Sequence, residues 1–232
     1  MIQNILFLDI ETVPQYSSFE DMPENMRQLW ERKSQHFRDG KSPAESYPRA
    51  GIYAEFGKVI CIGCAYFDAT MTLQFTHFSG DDEFEVLNKF SQFVRKRFSR
   101  SDSLLCAHNG KEFDFPFLCR RFLVNNIRIP QLLHLSGRKP WEVPHLDTME
   151  MWKFGDYKAY TSLTLLASTF GIPSPKDDMD GSMVWKVYWH DNDLDRIVKY
   201  CMKDVECLVE VYLRLSESEG VGVVSQAAKI KF

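Results

Sequence analysis

The order of elements along this chain predicts an α/β fold with a mixed central β-sheet flanked by helices. Three observations lead there. The opening run ILFLDIETVP (5–14) and the runs KVICIGCAYFD (58–68) and TLQFTHFSG (72–80) read as strands that pair in sequence order as a meander. Beyond them, short apolar strands alternate with helical periodicities. No internal repeat, low-complexity tract or linker divides the 232 residues, so a single domain over 1–232 is expected, and 44% apolar side chains suffice for its core.

Each element has a local reason. Ile5 to Pro14 is a bulky apolar strand. Pro14 to Ala50 is rich in Ser, Pro, Glu and Arg, holds one helical stretch around Met26 to His36, and is too long for a connection; it reads as an inserted, lid-like flap. After the meander, Phe84, Leu87, Phe90 and Val94 mark the apolar stripe of a helix from Asp82 to Phe98, with capping residues between Ser79 and Asp82. Ser103 to Gly110 is a strand ending in a turn. EFDFPFLCRRFLVNN (112–126) opens a helix whose first turn accepts Pro116 because that position needs no backbone donor. VPHLDT (143–148) is extended, and helices are expected at 162–170, 183–189 and 193–216.

Composition excludes several classes. No apolar stretch reaches the roughly 20 residues that span a bilayer, and Asp9 stands where a signal peptide would stay apolar, so a cytoplasmic protein is expected. The six cysteines lie in apolar segments with a lone C-x-x-C, and read as reduced core thiols. A net charge of −4 argues against gripping long duplex nucleic acid by charge alone. The basic run Arg95, Lys96, Arg97 and Arg100 reads as a solvated helix face. Nothing in the sequence points to an obligate protein partner.

The chemistry-bearing residues are acids in apolar settings. Asp9 and Glu11 are one residue apart on a strand, so they share a face and repel each other when ionised. In the last helix, an inward stripe through Ile197, Tyr200, Asp204, Leu208, Val211 and Leu215 contains an acid, costly to bury unless paired or bound to metal. A bond to a neighbouring hydroxyl or backbone group is the ordinary alternative. Asp114, at the start of a helix after a strand, reads equally as a capping acid, and Asn109 as a turn residue. Four converging carboxylates require cations, and hard oxygen donors suit two divalent ions, Mg²⁺ or Mn²⁺.

D-x-E in LDIET, N-x-x-x-F-D in NGKEFD and Y-x-x-x-D in YCMKD, in that order, resemble the three motifs of the DEDD (DnaQ-like) 3′-to-5′ exonucleases. The tyrosine marks the branch typified by the exonuclease domain of family B DNA polymerases, and FGKVICIGCAYFD and DGSMVWKVYW resemble its free-standing bacterial relatives. The resemblance implies an RNase H-like fold and hydrolysis of single-stranded nucleic acid from the 3′ end, DNA favoured over RNA, releasing nucleoside 5′-monophosphates. It implies that Asp9 bridges two metals, that Glu11 and Asp204 complete the site of the attacking water, and that Asp114 helps hold the second ion. It makes Tyr200 the residue that orients or deprotonates that water, and Thr12, Asn109 and Phe113 contacts to the terminal nucleotide. Lys176 is a candidate phosphate contact. An RNA-trimming enzyme, or a binding module without catalysis, stays open. The insertion at 14–50 is foreign to the polymerase pattern, and a chain of this length is expected to stand without a polymerase. His145 and Asp147 read as strand-end or site-rim residues.

Overall fold

The computed structural model describes residues 2–156, 160–173 and 179–216. Its centre is a five-stranded mixed sheet in the order β3-β2-β1-β4-β5: β1 (Ile5–Pro14), β2 (Gly57–Phe67), β3 (Leu73–Ser79), β4 (Leu104–Ala107) and β5 (Leu146–Asp147). The first three form the expected antiparallel meander, and β4 and β5 add in parallel on the other edge of β1. Between β1 and β2 lie α1 (Glu24–Ser34) and the one-turn α2 (Pro43–Ser46); α3 (Glu83–Arg97) leads into β4, and α4 (Asp114–Val124) follows it. The remainder is α5 (Thr148–Lys153), α6 (Leu163–Phe170), α7 (Val184–Trp189) and the long α8 (Leu194–Leu215). Among the described residues, no helix is long and apolar enough to cross a membrane.

Alternation along β1 divides the molecule into two layers. Leu6, Leu8 and Ile10 point into a core completed by Val86, Leu87 and Phe90 of α3 and by Phe115, Leu118 and Phe122 of α4. Ile5 and Phe7 point the other way, onto Val205, Leu208 and Val209 of α8. Burying a side chain the size of Phe7 is worth about 1.5–3 kcal/mol, so this contact holds α8 firmly to the sheet. Asp9 and Glu11 continue the α8 face, and a register shift between Glu11 and Thr12 breaks the ladder just beyond them.

Helix ends follow the caps: Asp82 accepts from the Phe84 and Glu85 amides, Ser162 from Leu165 and Asp193 from Arg196. Two expected stripes need correction. In α3, Phe84 is 45% exposed and the inward line is Val86, Leu87, Phe90 and Val94. In α8, the fully buried line runs through Ile197, Cys201, Val205, Leu208 and Val211, while Tyr200 and Asp204 lie half-buried on its flank. The acid therefore borders the core instead of entering it, which lowers the cost of its charge. α5 was not legible as a helix because its six residues carry too little periodicity.

The segment between β1 and β2 has a core of its own. Trp30 is completely buried among Met22, Tyr47, Ala50 and Phe56, and its indole N–H donates to the Pro43 carbonyl at 2.9 Å. All six cysteines are free, five of them buried, as expected for core thiols.

Candidate active site

One cleft of about 960 Å³ gathers the three motifs. Asp9, Glu11 and Thr12 line it from β1, Asn109, Phe113 and Asp114 from the start of α4 and the turn before it, and Tyr200 and Asp204 from α8. Lys176 lies outside the described residues.

Three local devices bring these groups together. The first is Gly63, paired with Asp9 across the β1–β2 ladder. A Cβ there would stand 2.8 Å from Cys201 Sγ and 3.0 Å from a Val205 methyl, so only glycine lets α8 lie close over β2. That closeness puts Asp204 near Asp9. The second device is Asp114 itself: β4 pairs with β1 only as far as Phe7, and beyond it Asp114 Oδ1 accepts from the Ile10 N–H at 3.2 Å. A buried carboxylate thus replaces a missing strand partner and fastens the start of α4 beside the acids of β1. The third is Asp147, whose two oxygens accept from the Asn109 N–H at 2.9 Å and the Lys111 N–H at 3.1 Å while it caps α5 through Met149. Asn109 adopts φ 62°, the left-handed region that asparagine tolerates better than most residues.

Asp147 therefore holds the turn that carries the second motif, and His145 is likewise structural: its Nδ1 accepts from the Leu105 N–H at 3.2 Å and its Nε2–H donates to the Leu132 carbonyl. Both are the strand-end residues that the sequence suggests.

Electrostatically the cleft floor wants a cation. Burial, then the neighbouring Asp114 and Asp204 charges, raise the Asp9 carboxyl well above its ordinary range; burial and then Asp9 do the same to Glu11. Asp114 is pushed up to about 7, chiefly by burial. Among the described residues, no lysine or arginine pairs with Asp9, Glu11 or Asp114. The donor atoms of Asp9, Glu11 and Cys201 all lie within 4.8 Å of one another. Cys201 donates to the Asp9 carbonyl at 3.5 Å, and its hydrogen bond with Cys61, then burial, raise its thiol, so it keeps its proton and the hard donors at this point are the carboxylate oxygens. The residues present fit a divalent cation held by oxygen. Tyr200 hydrogen-bonds Asp204, and burial followed by that carboxylate's charge lifts the phenol well above its ordinary range.

A family model described as "Predicted 3'-5' exonuclease related to the exonuclease domain of PolB" matches residues 52–228, more than half of the chain. The chain belongs to this family. Its fold is RNase H-like and similar to that of the family B DNA polymerase from the hyperthermophilic archaeon Pyrobaculum calidifontis, with a TM-score of 0.56 and 17% identity. That likeness covers 91% of this chain and 24% of the polymerase, so the chain spans about a quarter of the polymerase's length. The match to the exonuclease family includes the second and third motifs and begins after the first, whose place beside them is given by the sheet.

Sequence reasoning missed several cleft residues of this family member. His108 bridges the Thr148 hydroxyl at 2.9 Å and the Thr161 carbonyl at 2.8 Å, and burial lowers its basicity; its place beside Asn109 was the one available signal. Trp185 and Tyr160 also line the cleft, brought there by packing that no spacing announces.

Proposed function

We propose that this protein is a metal-dependent 3′-to-5′ exonuclease that hydrolyses the terminal phosphodiester of single-stranded nucleic acid, DNA favoured, and releases nucleoside 5′-monophosphates. The observation that carries the reading is the convergence of Asp9, Glu11, Asp114, Asp204 and Tyr200, from positions as far apart as β1 and α8, on one cleft of a chain in a 3′-5′ exonuclease family. The four carboxylates would hold two divalent cations, Mg²⁺ or Mn²⁺, which when bound supply an activated water and offset charge on the attacking and leaving oxygens.

The chain's own residues do the rest. Asp9 and Glu11, on one strand face, provide paired oxygens at fixed spacing, while Asp114 and Asp204 bring charge from the two flanking helices. The Tyr200 hydroxyl retains its proton and orients the attacking water from the side of Asp204. The amide oxygen of Asn109 is buried without a partner among the described residues, which suits a contact to the terminal nucleotide, and the half-buried Phe113 ring and Thr12 hydroxyl complete that end of the cleft.

Digestion of 5′-labelled single-stranded DNA and matched RNA, with Mg²⁺, Mn²⁺ or chelator, tests the reading. A descending ladder that requires metal and runs faster on DNA is expected. Faster trimming of RNA would move the substrate assignment to an exoribonuclease, and binding without any shortening would mark a silent module. In parallel, Asp9→Ala should abolish hydrolysis and weaken Mn²⁺ binding in calorimetric titration; unchanged binding would remove Asp9 from the site.

A further inference from the structure

The family match begins at residue 52, so the wall of the cleft built by residues 37–51 lies outside it. Among the described cleft residues, every lysine and arginine belongs to that wall: Arg38, Lys41 and Arg49. The floor opposite is acidic and the whole chain carries −4, so among the described cleft residues a polyanionic strand meets positive charge at this wall alone. Among the described residues none of the three side chains forms an ion pair or hydrogen bond, although the Lys41 charge reaches Glu45 and helps lower its carboxyl. Arg49 stacks on the Phe37 ring at 4.9 Å, which steadies the guanidinium while leaving its N–H donors open.

The mount is firm. A Cβ on Gly51, two residues beyond Arg49, would lie 3.1 Å from the Val13 backbone, so the turn bearing Arg49 presses directly on β1. Lys41 precedes a capping box in which the Ser42 N–H donates to Glu45 at 2.7 Å and the Glu45 N–H to the Ser42 hydroxyl at 3.2 Å. That engages one of the two acids on this wall; the other is Asp39.

We propose that the insert is a phosphate-binding wall, with Arg38, Lys41 and Arg49 holding backbone phosphates of the single strand upstream of its 3′ terminus. The assignment rests on the exonuclease reading for the identity of the strand. It is tested by fluorescence anisotropy of a short 5′-fluorescein oligothymidylate over a salt series, with Ca²⁺ as the cation. Replacing all three residues by alanine should weaken binding at low salt and lower the slope of log Kd against log salt by about 2, from roughly 0.7 per single-strand phosphate contact. Arg49→Lys, which keeps the charge, should retain most of the slope. Lys96→Ala on the exposed face of α3 controls for net charge, and thermal melts confirm that each variant folds. A triple variant that binds with the parent's slope, or loses no more than Lys96→Ala, overturns the proposal. Separately, the parent is given the same oligonucleotide with Mg²⁺ or Mn²⁺. If it trims the strand while the triple variant keeps the parent slope, the wall fails and the nuclease reading stands; if the parent trims nothing while the slope falls as expected, the wall stands and the nuclease reading fails.

Discussion

Tyr200 and Asp204 share one flank of α8 and a hydrogen bond, yet their substitutions should separate cleanly. Tyr200→Phe keeps the ring that packs beside Ile197 and Val184 and deletes the hydroxyl, so fold and Mn²⁺ binding should survive. Turnover should fall by roughly 10²–10⁴-fold, mainly in kcat, as when a positioned water-orienting group is removed. Single-turnover digestion beside melts with and without Mn²⁺ measures both; parent-like cleavage would make the tyrosine structural. Asp114 offers a pH test. Its carboxyl stays protonated in the metal-free fold up to about 7, whereas in the unfolded chain it ionises near 4, so raising pH through that window draws protons off the unfolded state first and stability falls. His145, lowered to about 4 by burial, and His108, lowered likewise, act in the opposite sense over part of the same window. The informative quantity is therefore a difference: in chelator, Asp114→Asn should gain on the parent between about pH 4 and 7, and further at higher pH where loss of the Asp114 charge eases the ionisation of Asp9. Parallel stability curves would show that the carboxyl is not perturbed.

Between elements, two junctions set the cleft. Gly63→Ala puts a methyl into Cys201 and Val205, forcing α8 away from β2 at the point where Asp9 is paired. Overpacking of this kind costs about 1–3 kcal/mol, and kcat should fall with stability because Tyr200 and Asp204 ride on the displaced helix. Adding Cys201→Ala makes room, so the double variant should recover part of both losses; additive losses would place the cause elsewhere. The second junction is a buried ion pair. Glu83 Oε1 accepts from the Arg121 Nε–H at 2.9 Å and the Val59 N–H at 2.7 Å, and Arg121 Nη1 donates to the Ala54 carbonyl at 2.8 Å, which ties α3, α4 and β2 to the end of the segment that joins β1 to β2. Arg121→Ala leaves a carboxylate 7% exposed without its main partner, and should lower stability in urea by about 3–5 kcal/mol. A loss below about 1 kcal/mol would mean that water replaces the guanidinium.

At the scale of the molecule, the chain is a mixed sheet with one helical layer packed on each face and a small aromatic subdomain set into its first connection. Most of the order of strands and helices was legible from the sequence because those elements carry a signal of their own: the bulky apolar run of β1, the stripe of α3 with its cap at Asp82, Pro116 in a first turn; α5 carried none. The acids were legible in part: Asp9 and Glu11 stood out because a carboxylate in an apolar strand is expensive, whereas Asp114 read equally as a capping acid and Asp204 was placed in a buried stripe that it only flanks. The motifs' order along the chain carried the family, which the match over residues 52–228 shows. Tertiary structure alone decided the rest. Period cannot say that Phe84 faces water, or that Asp204 flanks the buried line of α8, since both depend on which neighbour each helix packs against. Nor can spacing reveal that Arg121 is a buried partner of Glu83, that Gly63 is the seat of α8, or that Asp147 secures the turn carrying Asn109, because each contact joins residues that only the folded sheet makes neighbours. Local sequence determines which elements form and what chemistry they carry; long-range packing determines where that chemistry meets.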